Sequence, residues 1–151
     1  MQEQRPSVAK RITEARERAG MSADTLAERV GLEPMSYYDL EHYDDEAFTS
    51  VSLGELCAVA RAVGLSPREL VNPDPTTPVG ATVSMQNVIQ GIRDRMTADQ
   101  LSAEAFGERA GWDVAEALHN PESAWAAWCV DALRDVCGQV GIDWRAVVPE
   151  S

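Results

Sequence analysis

Lysine is almost missing from this 151-residue chain. Lys10 is the only one, and 13 basic residues in all stand against 25 acidic ones, a formal net charge of −12. A chain so charged is repelled by polyphosphate and drawn towards basic partners. Cysteine and histidine are scarce too. Cys57, Cys129 and Cys137 are odd in number and form no CxxC pair, and His42 and His119 lie far apart, near no cysteine pair. That pattern argues against a zinc site and a disulfide framework, so free thiols in a reducing compartment are expected, with no metal and no cofactor. No apolar run approaches the roughly 20 residues of a membrane span, and the opening MQEQRPSVAKR has no apolar signal core. A cytoplasmic protein is therefore expected. No nucleophile, metal spacing or glycine-rich phosphate loop accompanies either histidine, so the chain does not read as an enzyme.

What the chain does have is helical punctuation. Val8, Ile12, Ala15 and Ala19 form one stripe ending at Gly20. Ser22 is placed to cap a second helix, with Leu26, Ala27 and Val30 inward and Gly31 as its stop. A third, short helix holds Tyr37 and Leu40. Ser52-Leu53-Gly54-Glu55 and Ser66-Pro67-Arg68-Glu69 have capping-box spacing and open two more. Five short helices are thus expected in the first half, and no segment alternates like a strand. Pro73, Pro75 and Pro78 mark 73–84 as a connector.

The second half repeats the first. ADTLAERVGL (23–32) lies over AEAFGERAGW (103–112), matching Ser22 to Ser102, Leu26 to Phe106 and Gly31 to Gly111. LCAVARAVGLSPRELV (56–71) lies over LRDVCGQVGIDWRAVV (133–148), matching Gly64 to Gly141 and Arg68 to Arg145. Ordered matches that include both glycine stops favour an internal duplication. All four tryptophans, Trp112, Trp125, Trp128 and Trp144, fall in the second half, where core and the seam between copies are the expected places for them.

The stretch 12–41, followed by 53–71, resembles the helix-turn-helix domain of the Cro/Xre repressor family. Ile12, Arg16, the Gly20–Ser22 junction, Leu26-Ala27, Gly31, Leu40-Glu41 and the block Ala62–Leu70 carry the resemblance. It implies an all-α fold of two tandem five-helix units, 1–72 and a degenerate 85–151, forming a covalent pseudo-dimer, either monomeric or homodimeric. It also implies a DNA-reading third helix, whose exposed early positions map to Pro34, Met35, Ser36 and Tyr38, supported by Arg16 and Arg29 and by a cluster of Arg18, Arg5, Lys10 and Arg11.

The residues at that helix point elsewhere. Residues 35–46 read MSYYDLEHYDDE, and no Lys or Arg occurs between Arg29 and Arg61. Phosphate contacts supply nearly all non-specific DNA affinity, and acids cannot make them. The expected function is an acidic protein-binding module with DNA reading lost: an antitoxin or immunity protein that neutralises a basic toxin or enzyme, or a DNA mimic. Tyr38, Asp39, Glu41, Tyr43, Asp44, Asp45 and Glu46 are its expected contact residues, because tyrosine supplies rigid amphipathic area and carboxylates steer a basic partner. The plainer reading makes Tyr37 and Leu40 core and the remainder a solvated face. The alternative function is a sequence-specific transcriptional regulator reading DNA through the third helix.

Overall fold

A computed structural model describes residues 7–151, and Arg5 lies outside the described residues. The described residues form eleven α-helices and one 3-10 turn, with no strand among them. In the first half these are α1 (Val8–Arg18), α2 (Ala23–Val30), α3 (Pro34–His42), α4 (Glu46–Thr49), α5 (Leu53–Ala62) and α6 (Pro67–Val71). The second half contains α7 (Met85–Ala98), α8 (Ala103–Ala110), α9 (Ala115–His119), α10 (Pro121–Ala127), α11 (Val130–Val140) and the 3-10 turn Trp144–Ala146. None of these helices is long and apolar enough to cross a membrane.

Local chemistry sets most of these boundaries. The Ser22 and Ser102 side chains accept the amides of Thr25 and Ala105, each satisfying one orphan donor of a helix N-terminus. α2 and α8 then end at Gly31 and Gly111, whose positive φ angles of 76° and 85° a residue with a Cβ adopts reluctantly. Ser52 and Glu55 close a reciprocal capping box. At α6 only half of the expected box forms: Ser66 accepts the Glu69 amide, and Pro67 fills the first helical position, where no donor is needed. The short helix α4 was not expected. Four residues are too few to show a period, yet Ala47 and Phe48 are buried and hold it to the core.

The buried side chains of both halves join in one continuous core, from Val8 and Ile12 through Leu53 and Leu56 to Ile92, Leu133 and Val148. Val114 and Ala117 are buried in it, and all four tryptophans pack against it half-buried. Across the midline α5 packs on α10, and α4 packs on α11. The first amide of α5, on Leu53, donates to the Trp128 carbonyl at 2.7 Å. A Cβ on Gly54 would come within 3.1 Å of the Ala126 carbonyl oxygen, so the two helices meet at backbone distance.

Two arginines stitch the rest of the seam. Arg68 is buried and donates to the carbonyls of Val148 and Ala146, the Thr82 hydroxyl and the Glu150 carboxylate. Arg145 pairs with Asp143 and reaches the Asn72 side chain and the carbonyls of Asp74 and Thr77. The proline-rich segment is therefore tied down by the second half.

Candidate interaction surface on the third helix

α3 has two opposed stripes. Tyr37, Leu40 and Glu41 fall at i, i+3 and i+4 and face inward, with Tyr37 and Leu40 fully buried. Met35, Tyr38, Asp39 and His42 fall at i, i+3, i+4 and i+7 on the other side. Large hydrophobic side chains that stay exposed among the described residues are Met35 at 68%, Tyr38 at 49% and Tyr43 at 58%. All three sit on α3 or on its C-cap. Scattered exposed apolar residues need no explanation, but three in one short segment form a patch.

Two of these outer side chains hold each other. The Tyr38 and His42 rings stack with centroids 3.8 Å apart and planes 16° from parallel. His42 Nδ1 lies 2.7 Å from the Tyr38 carbonyl oxygen, which fixes the imidazole on the helix. Asp39 is half-buried beside them, Glu46 is half-buried in the first turn of α4, and Glu33 is exposed at the N-cap of α3.

The seven expected contact residues divide into three roles. Glu41 points inward, its side chain 6% exposed. Arg16 meets it through two bonds, Nε to Oε2 at 2.7 Å and Nη2 to Oε1 at 3.0 Å, and the Thr13 hydroxyl donates to the same Oε1. The remaining arm of Arg16 donates to the Met21 carbonyl at 2.8 Å. Burial alone would raise the Glu41 pKa, but the hydrogen bonds from Arg16 and its neighbours outweigh it and hold the carboxyl below its ordinary range. Tyr37 is beside this pair with its hydroxyl buried, and burial followed by the Glu41 carboxylate pushes the phenol well above its usual value. Glu41 therefore leaves the proposed contact surface, and Arg16 leaves the set of free cations.

Asp44 has the second role. Its Oδ1 accepts the Ala9 amide at 3.0 Å, while Ser7 at the N-cap of α1 makes no side-chain bond. A carboxylate from 35 residues away thus caps α1 and complements its N-terminal dipole. Asp45 is the N-cap of α4, and its carbonyl accepts the Phe48 and Thr49 amides and the Thr49 hydroxyl.

The outward group is Tyr38, Asp39, Tyr43 and Glu46, to which the structure adds Met35 and His42. The sequence assigns Met35 only to the DNA-reading set and His42 to neither set. The i, i+4 spacing of Tyr38 and His42 was the available signal for their stack.

The DNA-reading set is dispersed in character. Pro34, Met35 and Ser36 are exposed at the start of α3, as is Arg29 at the end of α2. Arg11 donates to the Glu69 carbonyl, and Lys10 is 3.9 Å from Glu14. Comparison with protein-family models, curated proteins and solved structures finds no match to this chain.

Proposed function

We propose that this chain is an acidic protein-binding module on a Cro/Xre-like helix-turn-helix scaffold. Its outer α3 face engages a basic protein, and DNA reading is lost. The observation that carries the reading is the coincidence of the exposed Met35, Tyr38 and Tyr43 with a span free of Lys and Arg from residue 30 to residue 60. An aromatic centre with an acidic rim is how a protein interface is built, whereas a phosphate-binding surface needs guanidinium or ammonium groups. Neutralisation of a basic toxin or enzyme, in the manner of an antitoxin or immunity protein, is the concrete form. A DNA mimic would use the same charges.

The scaffold is proposed to be a covalent pseudo-dimer of residues 1–72 and 85–151 joined by 73–84. Matched serine caps and glycine stops support this. So does the reciprocity of the seam, in which α5 meets α10 while α4 meets α11. Arg68 reaching 146–150 while Arg145 reaches 72–77 adds to it. Reciprocal contacts of this kind mark a two-fold interface.

Fluorescence anisotropy against labelled DNA at about 50 mM salt tests the loss of DNA reading. Tight, salt-sensitive binding would restore the alternative, a transcriptional regulator. In the same assay a basic protein partner should bind wild type and lose affinity to Asp39→Lys/Glu46→Lys. Asp44 is left out of the reversal because it caps α1.

A further inference from the structure

We infer that the outer face of α3 selects arginine over lysine in its partner. This rests on the protein-binding reading above and goes on to name the chemistry the face recognises. Acidic residues alone attract either cation. What distinguishes this face is that its acids lie next to exposed aromatics along the chain: Asp39 follows Tyr38, and the Glu46 amide donates to the Tyr43 carbonyl at 3.2 Å. A guanidinium is planar and weakly hydrated, so it lies flat on an aromatic face while its in-plane N–H groups still bond a carboxylate. An ammonium is a hydrated point charge and does not satisfy both at once.

The geometry prepares such a seat. The Tyr38 ring is held by its stack on His42, and His42 is held in turn by its 2.7 Å contact with the Tyr38 carbonyl, so little side-chain freedom remains to be lost on binding. Met35, one turn earlier and 68% exposed, offers a polarizable surface for the methylene stem of an arginine. Tyr43 supplies a further exposed ring where the helix ends. A second copy of this chain is a poor occupant, because each carries −12 and presents the same acids. The occupant is an arginine-bearing segment of a basic protein.

The test uses two labelled basic peptides, identical except that every arginine of one is lysine in the other, titrated with the full chain at about 50 mM salt. Exposed cation–π contacts predict about tenfold tighter binding of the arginine peptide when two rings contribute. Tyr38→Leu/Tyr43→Leu keeps apolar area and touches no core residue. It should weaken the arginine peptide more than the lysine peptide and bring the ratio to within about twofold. Tyr38→Phe keeps the ring and should keep the preference. Equal affinities in wild type, or a preference that survives the double leucine variant, overturns the inference while leaving an acidic docking face intact. If Asp39→Lys/Glu46→Lys leaves binding of both peptides unchanged, the docking face itself is refuted.

Discussion

Replacing Arg68 with Met should destabilise the chain by about 3 kcal/mol, and the structure says which bonds carry the loss. The guanidinium is 7% exposed, and its partner Glu150 is 75% exposed. An ion pair with so open a carboxylate contributes under about 1 kcal/mol. The buried carbonyls matter more. The Val148 oxygen accepts from Arg68 Nε at 2.9 Å, and among the described residues no backbone amide replaces that donor. The Ala146 oxygen accepts from Nη2 at 3.3 Å but also from the Val83 amide at 2.9 Å, so it would keep a partner. One orphaned carbonyl costs roughly 1–3 kcal/mol, and the charged bonds lost to Ala146 and Thr82 raise the total to about 3. For a chain of this length that is a fall in Tm of roughly 6–12 °C. Urea and thermal unfolding followed by circular dichroism would measure it. Arg68→Lys should fall close to Arg68→Met, because one ammonium cannot span carbonyls that a planar fork reaches together. Glu150→Gln should change stability by less than about 1 kcal/mol. If Glu150→Gln costs as much as Arg68→Met, the seam is held by charge attraction and the carbonyl argument is refuted.

Substitutions at four further positions test other parts of the structure. The Glu41 pKa is depressed on folding, so its stabilisation is present above the ordinary carboxylate range and disappears as pH falls through the folded value. Wild type should lose stability as pH falls below the ordinary carboxylate range, and Glu41→Gln, less stable at neutral pH by about 3 kcal/mol, should show a flatter profile in pH-dependent urea titrations. Asp44→Ala should cost about 1 kcal/mol through the uncapped α1, and Asp44→Asn only a few tenths, measured by the same titrations. Gly138→Ala, at an exposed position of α11 with nothing within 4 Å of the added carbon, should stabilise by about 0.5–1 kcal/mol. Gly54→Ala should instead destabilise by about 1 kcal/mol, because its methyl meets Ala126 across the seam; equal effects at the two sites would deny the close approach of α5 to α10.

The helices were legible because their signals are local. Ser22, Ser52, Ser66 and Ser102 cap where their spacing placed them, and Gly31 and Gly111 take the positive φ their positions asked for. The last element departs from the repeat for a local reason as well. Where α6 starts on Ser66-Pro67, the matching segment starts on Asp143-Trp144, and the Asp143 side chain accepts the Arg145 amide and clasps its guanidinium within a single 3-10 turn. What no window could show was the seam. Arg68 and Arg145 read as ordinary helix residues in a block of Ser-Pro-Arg-Glu-Leu type, and only the folded chain brings them to carbonyls 68 to 80 residues away.

The acids of MSYYDLEHYDDE show the same limit more sharply. By composition they are one charge run. The sequence places Glu41 among the outward contacts, but it falls on the Tyr37–Leu40 stripe, one residue after a core leucine, and the structure turns it inward. An inward carboxylate needs a cation, and Arg16 supplies it. That pairing removes one acid and one base from the surface together, which leaves the balance of charge unchanged while taking from the DNA-reading set one of the arginines it required. Asp44 could not be sorted in this way, since its partner is a backbone amide on Ala9 and amides carry no sequence signature. With Glu41 inward, the charge left outward is that of Asp39, Asp44, Asp45 and Glu46. It lies in the same short segment as the rings that the fold leaves exposed, and the proposed selectivity rests on that coincidence more than on the total of −12.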